Sequence, residues 1–419
     1  MQNVYKLREA CAFHPYDGHA GENAFIVWTP ENRQFKISPL ARDILLQLDG
    51  QTTLDILAAR LNSRSIGVSA EGLRLLMATK YHPLGIVEDL DDPPGLARET
   101  GRKQRLPFLL HWNLIPAKYV QAVSAGLTFM FSRLAVLLAL GLILAAHYIV
   151  YSSYYDTKFL GRANSLHVLL LCLLSILWHE FGHSAAVSRY GGKPGKIGFG
   201  LFVLLPSFYA DVSEIWRFSR KHRMVVDLGG VYFQQVCFAA FMLAGVLISR
   251  PEFFVACRLI DLMVLLTLNP VVQFDGYWLL SDWLALPNLY RLGTVYVVDS
   301  IKRMFVRGRS SALLASIPRH AHMVVVVYAL LSNIFLVGIF CMSYRYISST
   351  FGRAHTILPA ILSSLMFALR ENDLSLFANR LVALFFVLAF PATVLVGFYR
   401  YGMILARYCI RKVRSFKLV

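Results

Sequence analysis

The sequence predicts a mainly α-helical membrane protein with about six transmembrane helices, a short membrane-associated β segment and a small N-terminal α+β domain resembling a winged helix. Composition is the first observation behind this prediction. Of 419 residues, 56% are apolar and 16% are charged, which is too apolar for an ordinary soluble enzyme. The second observation is that long apolar stretches recur only after residue 120, whereas residues 1–100 are mixed in polarity.

Transmembrane helices are predicted from runs of about 20 apolar residues, the length needed to cross a bilayer. Residues 357–369 form a shorter apolar piece, which we expect to lie at the interface or to re-enter the membrane. Arg258 and Asp261 lie inside one long stretch, and we interpret them as a local ion pair. The six stretches that qualify or come close are 134–151, 166–187, 228–249, 253–274, 323–344 and 381–399.

The basic residues predict the orientation of these helices. The formal net charge is +17, and Lys and Arg concentrate at 102–118, 189–223, 291–319 and 407–417. Six spans place all four regions on one side of the membrane, and an excess of positive charge marks the cytoplasmic side. We therefore expect a multi-pass protein of the cell (inner) membrane with both termini in the cytoplasm. Because the basic charge follows the spans, nucleic acid is not an expected partner.

The motif HEFGH stands at the end of the apolar run that begins near residue 166. Ionisable groups within a bilayer are costly and are usually functional. On a helix, His179 and His183 point to one face and can share one Zn²⁺, and the adjacent Glu180 can act as a general base on water. The alternative is that these three residues are solvated at a helix end. Catalytic zinc usually takes three protein ligands, so a third must come from elsewhere.

A candidate for the third ligand lies at the end of the stretch 253–274. Asn269-Pro270 interrupts the helix there, because proline removes a hydrogen-bond donor and clashes with the preceding turn. Broken backbone at membrane depth is tolerated only against protein or a wet cavity. Asp275 follows the break at about the depth of the two histidines. Asp261 and Asp211 are rival ligands, although Asp261 lies nearer the outer face and Asp211 is better placed to cap a following helix.

Together, the HEFGH helix and the later Asn-Pro and Asp-Gly pairs resemble the site-2 protease family of intramembrane zinc metalloproteases. The resemblance covers residues 165–290. It implies that His179, His183 and Asp275 are zinc ligands and that Glu180 is the catalytic base. It also implies that Asn269 lies near the active site and binds substrate. The compact spacer NPVVQFDG departs from the longer, proline-rich spacer that is usual in the family.

Flanking segments resemble a particular branch of that family. GYWLLSDWLALPNL, with PSFYADVSEIW upstream, is similar to the branch of peptide zinc metalloproteases. That branch is associated with the maturation or export of ribosomally made peptides. The resemblance therefore implies that the substrate is a precursor peptide, with peptide-export components as further candidate partners.

The N-terminal region shows strand and helix signals of its own. Residues 25–38 predict two strands around a turn, and helices are expected after Ser38, after Thr52 and near 70–80, followed by a short strand. The pattern FKISPLARDILLQLDGQTTLDILAARL, ending in GIVE, resembles PqqD-like domains, the recognition elements that hold leader peptides. A generic winged-helix or regulatory domain is the alternative. The expected domains are 1–95 (peptide recognition), 96–120 (linker and juxtamembrane segment) and 121–419 (six-span peptidase).

The segment between the two motifs, 195–212, is punctuated by glycine and rich in β-forming residues. It predicts either a strand pair that offers an edge to an extended substrate or a packed connecting loop. We interpret His147, His167 and His222 as interfacial or loop residues.

The expected function is hydrolysis of a peptide bond in a precursor peptide by a zinc endopeptidase embedded in the lipid bilayer. One alternative is a site-2-type protease that cleaves a membrane-anchored regulatory protein. Another is a non-enzymatic membrane subunit of a peptide export or immunity system. The sequence leaves the oligomeric state and the identity of the substrate open.

Overall fold

The structure consists of two compact units that interleave along the chain. One comprises Met1–Leu106 with Ile215–Lys221, and the other comprises Pro107–Glu214 with His222–Val419. Residues 96–107 of the predicted linker and most of the stretch 381–399 lie outside the described residues. The computed structural model describes residues 4–17, 23–29, 34–64, 66–90, 108–154, 156–202, 205–271, 273–286, 289, 292–293, 295–296, 319–374, 376–385 and 387–388.

The N-terminal unit contains two antiparallel three-stranded sheets and three short α-helices in its described residues. The strand orders are β5-β1-β6 and β2-β3-β4. A π-helical turn, Met77–Tyr81, continues the third helix. The elements are β1 Val4–Leu7, β2 Ala12–Asp17, β3 Asn23–Trp28, β4 Gln34–Ile37, α1 Pro39–Leu45, β5 Asp49–Thr53, α2 Leu54–Asn62, α3 Ala70–Leu76 and β6 Val87–Asp89.

Local sequence signals account for the helices of this unit. The side chains of Ser38, Thr53 and Ser69 each accept a hydrogen bond from a backbone N–H in the first turn of α1, α2 and α3. Leu45 and Leu57, fully buried, lie at the centre of the core between helices and sheets. The predicted hairpin, the three helices and the short last strand are confirmed. The strands β1, β2 and β5 were not predicted, because short irregular runs carry little periodicity.

A segment from the middle of the chain completes the N-terminal unit. Trp216 packs near Tyr16, with ring centroids 6.5 Å apart. The guanidinium carbon of Arg217 lies 5.7 Å from the centre of the Trp28 ring. The Arg220 N–H donates to Asp17 Oδ2 at 2.8 Å. Residues 215–221, from the middle of the chain, thus cover one face of the strands β2 and β3.

The second unit is mostly helical and contains one antiparallel sheet of order β7-β8-β9 in its described residues. Short 3₁₀ helices occur at Thr128–Phe131 and Ser213–Arg217, the latter extending into the N-terminal unit. The elements are β7 Phe108–Ile115, α4 Ala117–Leu127, α5 Arg133–Ser153, α6 Thr157–Leu160, α7 Ser165–Arg189, β8 Ile197–Phe202, β9 Leu205–Ala210, α8 Arg220–Ile248, α9 Pro251–Thr267, α10 Asp275–Leu284, α11 Arg319–Gly352 and α12 Ala354–Arg370.

Among the described residues, three helices are long and apolar enough to cross a membrane: α5, α7 and α8. They coincide with the first three predicted spans and fit a membrane protein. The fourth stretch forms α9, which has 17 residues and ends at Thr267, ahead of the Asn269-Pro270 break. The fifth lies within α11, and the short piece 357–369 lies within α12. A total of six spans therefore stays a prediction.

The segment 195–212 forms strands rather than an irregular loop. β8 and β9 pair antiparallel from Ile197 opposite Ala210 to Phe202 opposite Leu205. The strand β7 adds to the other side of β8, which the sequence did not predict. In this order β9 is an edge strand. Gly198 on β8 leaves room for the ring of Tyr209, because a Cβ on Gly198 would lie 2.2 Å from that ring.

A polar cluster between α5, α8 and α9 corrects two sequence interpretations. Asp261 accepts hydrogen bonds from Tyr151 at 2.7 Å and Gln235 at 3.1 Å, and it lies 3.1 Å from His147 Nε2. Arg258 donates instead to backbone carbonyls, including that of Tyr154. The predicted ion pair between Arg258 and Asp261 is therefore wrong. His147 lies within α5 rather than in a loop, and its ring packs between helices, stacked on Phe238 with centroids 4.1 Å apart.

The other two histidines lie near helix ends. His167 is in the first turn of α7, where its Nδ1 lies 3.9 Å from Glu252 Oε1. His222 lies in the first turn of α8, and its ring stacks on Tyr190 with centroids 4.0 Å apart.

α7 and α8 meet at a pair of glycines. A Cβ on Gly182 would lie 2.2 Å from the carbonyl oxygen of Gly229, which is closer than real contacts allow. A Cβ on Gly229 would likewise lie 2.8 Å from the Gly182 carbonyl oxygen. Small residues allow helix backbones to approach closely in membranes, so this contact fixes the spacing of the two helices.

We predict that Gly182→Ala lowers the thermal unfolding midpoint of the purified protein in detergent. The added methyl group must push α7 and α8 apart, a type of overpacking that costs about 1–3 kcal/mol. The matched control is Gly141→Ala on α5, where no atom lies within 4 Å of the new Cβ. Alanine there should keep or raise the midpoint, since it favours helix by about 1 kcal/mol over glycine. Equal midpoints for the two variants would contradict the close contact.

Candidate metal centre

The three ionisable residues of the HEFGH motif lie on α7 and are buried. Asn164 caps this helix, accepting from the backbone N–H groups of Leu166 and His167. His179, Glu180 and His183 are 7%, 9% and 8% exposed. Buried polar groups require partners, so the contacts of these side chains indicate what the site can do.

Two histidine nitrogens and one carboxylate oxygen converge at a single point. The Nε2 atoms of His179 and His183 are 3.0 Å apart. Asp275 Oδ2 lies 3.0 Å from the first and 3.2 Å from the second. Among the described residues this is the one group of three His, Cys, Asp or Glu side chains close enough to share a metal ion.

The opposite nitrogen of each ring faces a carbonyl oxygen. His179 Nδ1 lies 3.2 Å from Gln234 Oε1, and His183 Nδ1 lies 2.7 Å from the Val226 carbonyl oxygen. A carbonyl oxygen only accepts, so each Nδ1 carries the proton and donates it. In the neutral rings, both Nε2 atoms then present lone pairs toward Asp275. This is the arrangement by which partners of metal-ligating histidines fix the tautomer.

The residues present fit a zinc ion. Two imidazole lone pairs and a carboxylate oxygen repel one another unless a cation lies between them. Asp275 Oδ2 is buried and makes no hydrogen bond that would otherwise satisfy it. Donor atoms around tetrahedral zinc are separated by about 3.3 Å, for bonds of about 2.0–2.1 Å, which is close to the distances found here. Nitrogen and oxygen donors are a common ligand set for catalytic zinc.

The break after α9 brings Asp275 to the histidines. Asn269 Oδ1 accepts the Val271 N–H at 3.0 Å, which holds the turn that follows the helix. A Cβ on Gly276 would lie 2.0 Å from the Leu268 carbonyl oxygen, so α10 can begin there only with glycine after Asp275. The structure thus explains the Asp-Gly pair. It places Asn269 in the turn rather than among the three converging ligands, and its substrate-binding role stays a prediction.

Three residues of α8 shape the site, and the sequence analysis missed them. They are Gln234 and Val226, which orient the histidines, and Gly230. A Cβ on Gly230 would lie 2.5 Å from the Nε2 atom of each histidine. The sequence signal that could have indicated this role is the Gly229-Gly230 pair in the interior of a long helix.

Glu180 lies at the junction of α7 and the sheet. Its carboxylate interacts with both histidines, with Asp275 and with the backbone of Ala210, the last residue of β9. Ser184 donates to the Glu180 backbone carbonyl at 3.0 Å. A buried carboxylate beside a candidate metal centre is placed to exchange a proton with a reacting group.

The rival carboxylates are elsewhere. Asp211 Oδ1 accepts the N–H of Ser213 at 3.2 Å and its hydroxyl at 2.5 Å, and so caps the 3₁₀ helix that follows. Asp261 belongs to the polar cluster with His147 and Tyr151. Neither carboxylate joins the three converging ligands.

The chain is similar in sequence to a protein of Bacillus subtilis (strain 168) named "Putative peptide zinc metalloprotease protein YydH". The two are 26% identical over 141 residues, which is 33% of this chain and 56% of the relative. The match therefore spans a little over half of the relative's length. No protein-family profile matches the chain, and no solved structure matches it. The similarity supports a metalloprotease role.

We predict that the purified protein binds about one equivalent of zinc, because one three-ligand site is formed. Asp275→Ala should weaken zinc retention during dialysis against a chelator, measured by elemental analysis. Asp211→Ala and Asp261→Ala are the matched controls and should retain zinc. Retention by Asp275→Ala together with loss in either control would refute the ligand assignment.

Proposed function

We propose that the protein is a zinc-dependent endopeptidase of the membrane. The convergence of Asp275 with His179 and His183, which lie beside Glu180 in the apolar helix α7, carries this proposal. The similarity to a protein named as a peptide zinc metalloprotease supports it independently. Ligands of this type in a bilayer are costly, and a catalytic metal gives the reason for their presence.

The residues of the chain divide the chemistry among them. When bound, zinc polarises a carbonyl group and makes water reactive near neutral pH. His179 and His183 hold the metal with neutral Nε2 atoms, since Gln234 and the Val226 carbonyl accept the Nδ1 protons. Glu180 takes a proton from the attacking water and returns it to the leaving amine, which completes hydrolysis of the peptide bond.

The edge strand β9 is a candidate binding site for the scissile segment. Its Ala210 end contacts Glu180, and no described strand pairs with its outer edge. An extended peptide added there would gain backbone hydrogen bonds and lie beside the general base. Asn269 contributes to substrate binding in this proposal, as the resemblance to site-2 proteases implies.

We further propose a six-span topology of the site-2 protease type in the cell (inner) membrane, with both termini in the cytoplasm. The helices α5, α7 and α8 support it by their length and apolarity. The distribution of Lys and Arg supports the orientation.

The substrate in this proposal is a ribosomally made precursor peptide whose leader binds the N-terminal unit. Its strand β4 is the edge of the sheet β2-β3-β4, so Gln34–Ile37 can accept a leader as an additional strand. A PqqD-like role of residues 1–95 and a connection to peptide-export components are parts of the same proposal.

We predict that Glu180→Gln abolishes cleavage while the fold and the bound zinc remain. Glutamine keeps the size of the side chain but cannot take a proton, and loss of an acid–base group costs about 10²–10⁴-fold in rate. The matched control is Glu252→Gln, a carboxylate on α9 that is 6% exposed and lies away from the metal centre. Near-normal turnover of Glu180→Gln would contradict the proposed role of Glu180 as the general base, whereas retention of the biological function without any cleavage would favour a non-enzymatic membrane subunit.

We predict that the leader lowers KM more than it raises kcat. Binding of the leader to the N-terminal unit raises the effective concentration of the scissile segment, to about millimolar for a short flexible connection. Cleavage kinetics of full-length and leaderless peptides by the intact protein measure the effect. Free leader peptide added in trans should inhibit cleavage of the full-length precursor and spare the leaderless peptide. Equal KM values for both substrates would contradict leader recruitment.

A further inference from the structure

One face of α8 carries polar and small residues through an otherwise apolar helix. Arg223, Asp227, Gly230 and Gln234 follow one another at spacings of four, three and four, so they lie along a single stripe. Gly230 and Gln234 form part of the metal centre described above. Arg223 and Asp227 extend the same stripe away from it by about two turns.

Arg223 is the most deeply buried charged residue in the described part of the chain. It is 0% exposed, and its Nε donates to Asp282 Oδ1 at 2.8 Å. Asp227, 8% exposed, also interacts with this guanidinium. A buried charge without a partner is strongly destabilising, so these carboxylates stabilise the buried Arg223 guanidinium in the folded protein.

The contact joins α8 to the short helix that carries the third metal ligand. Asp275 and Asp282 are the first residue and the eighth residue of α10, and a separation of seven places them on nearly the same face. Asp275 reaches the histidines beside Gly230, and Asp282 reaches Arg223. The two contact points, Asp275 near Gly230 and Asp282 at Arg223, are about 10 Å apart along each helix and therefore hold α10 antiparallel to α8.

α10 needs such an anchor to fix its orientation. It has only 10 residues, follows the turn at Asn269 and ends at Ala285 in the left-handed conformation. Isolated helices of this length are marginal and acquire their stability from tertiary contacts. Rotation of α10 about its axis would move the Asp275 carboxylate away from both Nε2 atoms.

We propose that Arg223 and Asp282 are a positioning pair, which sets the rotation of α10 and so aims Asp275 at the metal. This inference rests on the zinc site of the proposed function. The pair acts through Asp275 and is not itself proposed as a ligand of the metal. A pair that only stabilised the fold would have no effect on metal geometry once stability was restored.

The experiment separates positioning from stability with three variants of the full-length protein. Asp282→Asn keeps the size of the side chain but removes the carboxylate charge that accepts the hydrogen bond from Arg223 Nε. The double variant Arg223→Met/Asp282→Leu removes both charges of the contact and is made, and compared, in an Asp227→Asn background, so that no buried carboxylate at Asp227 loses its guanidinium partner. An apolar pair of similar volume commonly matches the stability of a buried ion pair. Asp261→Asn is the matched control, since Asp261 is another largely buried carboxylate held by side-chain hydrogen bonds, but on α9.

Three measurements are made on each variant: the thermal unfolding midpoint, the zinc Kd by chelator competition and the visible absorption of the Co²⁺-substituted protein. Four-coordinate Co²⁺ absorbs far more strongly than six-coordinate Co²⁺, so the spectrum reports whether Asp275 still binds. In Asp282→Asn and in the double variant, we expect zinc Kd to rise about 10–100-fold, as for other residues that orient metal ligands, and the Co²⁺ absorption to fall. The double variant should nevertheless recover the unfolding midpoint, and the control should keep the wild-type Kd and spectrum.

Wild-type zinc affinity and Co²⁺ spectrum in the double variant would overturn the proposal, because the charged contact would then be dispensable for positioning. An equal spectral change in Asp261→Asn would also overturn it, since the effect would be one of general packing. Absence of zinc binding by the wild-type protein is a different failure, that of the proposed zinc site itself. All three measurements are made without substrate, so they test the zinc site and the positioning of Asp275 separately from peptidase activity.

Discussion

The backbone contact between α7 and α8 at Gly182 and Gly229 is the constraint on which the metal centre depends. No side chain separates the helices there, since a Cβ on Gly182 would lie 2.2 Å from the Gly229 carbonyl oxygen. At this spacing His183 Nδ1 comes within 2.7 Å of the Val226 carbonyl. A wider separation would break that hydrogen bond and release the ring from the tautomer that directs its lone pair at the third ligand.

Burial of polar groups in an apolar surrounding organises the remainder of the helical unit. Ionisable side chains among apolar helices are costly unless they are paired. Several of those that the structure describes are grouped in clusters. One cluster is the metal centre, and the stripe on α8 from Arg223 to Gln234 extends it. A separate cluster around Asp261 joins α5, α8 and α9. Each cluster connects helices that apolar side chains alone would not hold in one register.

The sheet of the second unit gives the helical site a surface for an extended chain. Its edge strand β9 ends at Ala210 against Glu180, the proposed general base. In the N-terminal unit β4 is likewise an edge strand. Each unit therefore offers backbone groups to which one segment of an extended peptide could bind, which is the structural basis of the proposed recognition of a leader and a scissile segment.

The sequence by itself determined what depends on neighbouring residues: the shared helical face of His179 and His183 and the break before Asp275. Helical spacing, proline and glycine act within a few residues, so these features were predictable. The tertiary structure decided which residues join across the chain. His179 meets Gln234 55 positions away, and Arg223 meets Asp282 59 positions away. The same holds for Asp261. The sequence predicted that it pairs with Arg258, three residues before it, but its partner in the structure is His147, 114 positions away. Such contacts depend on how whole helices pack, and no local pattern in the sequence specifies that packing.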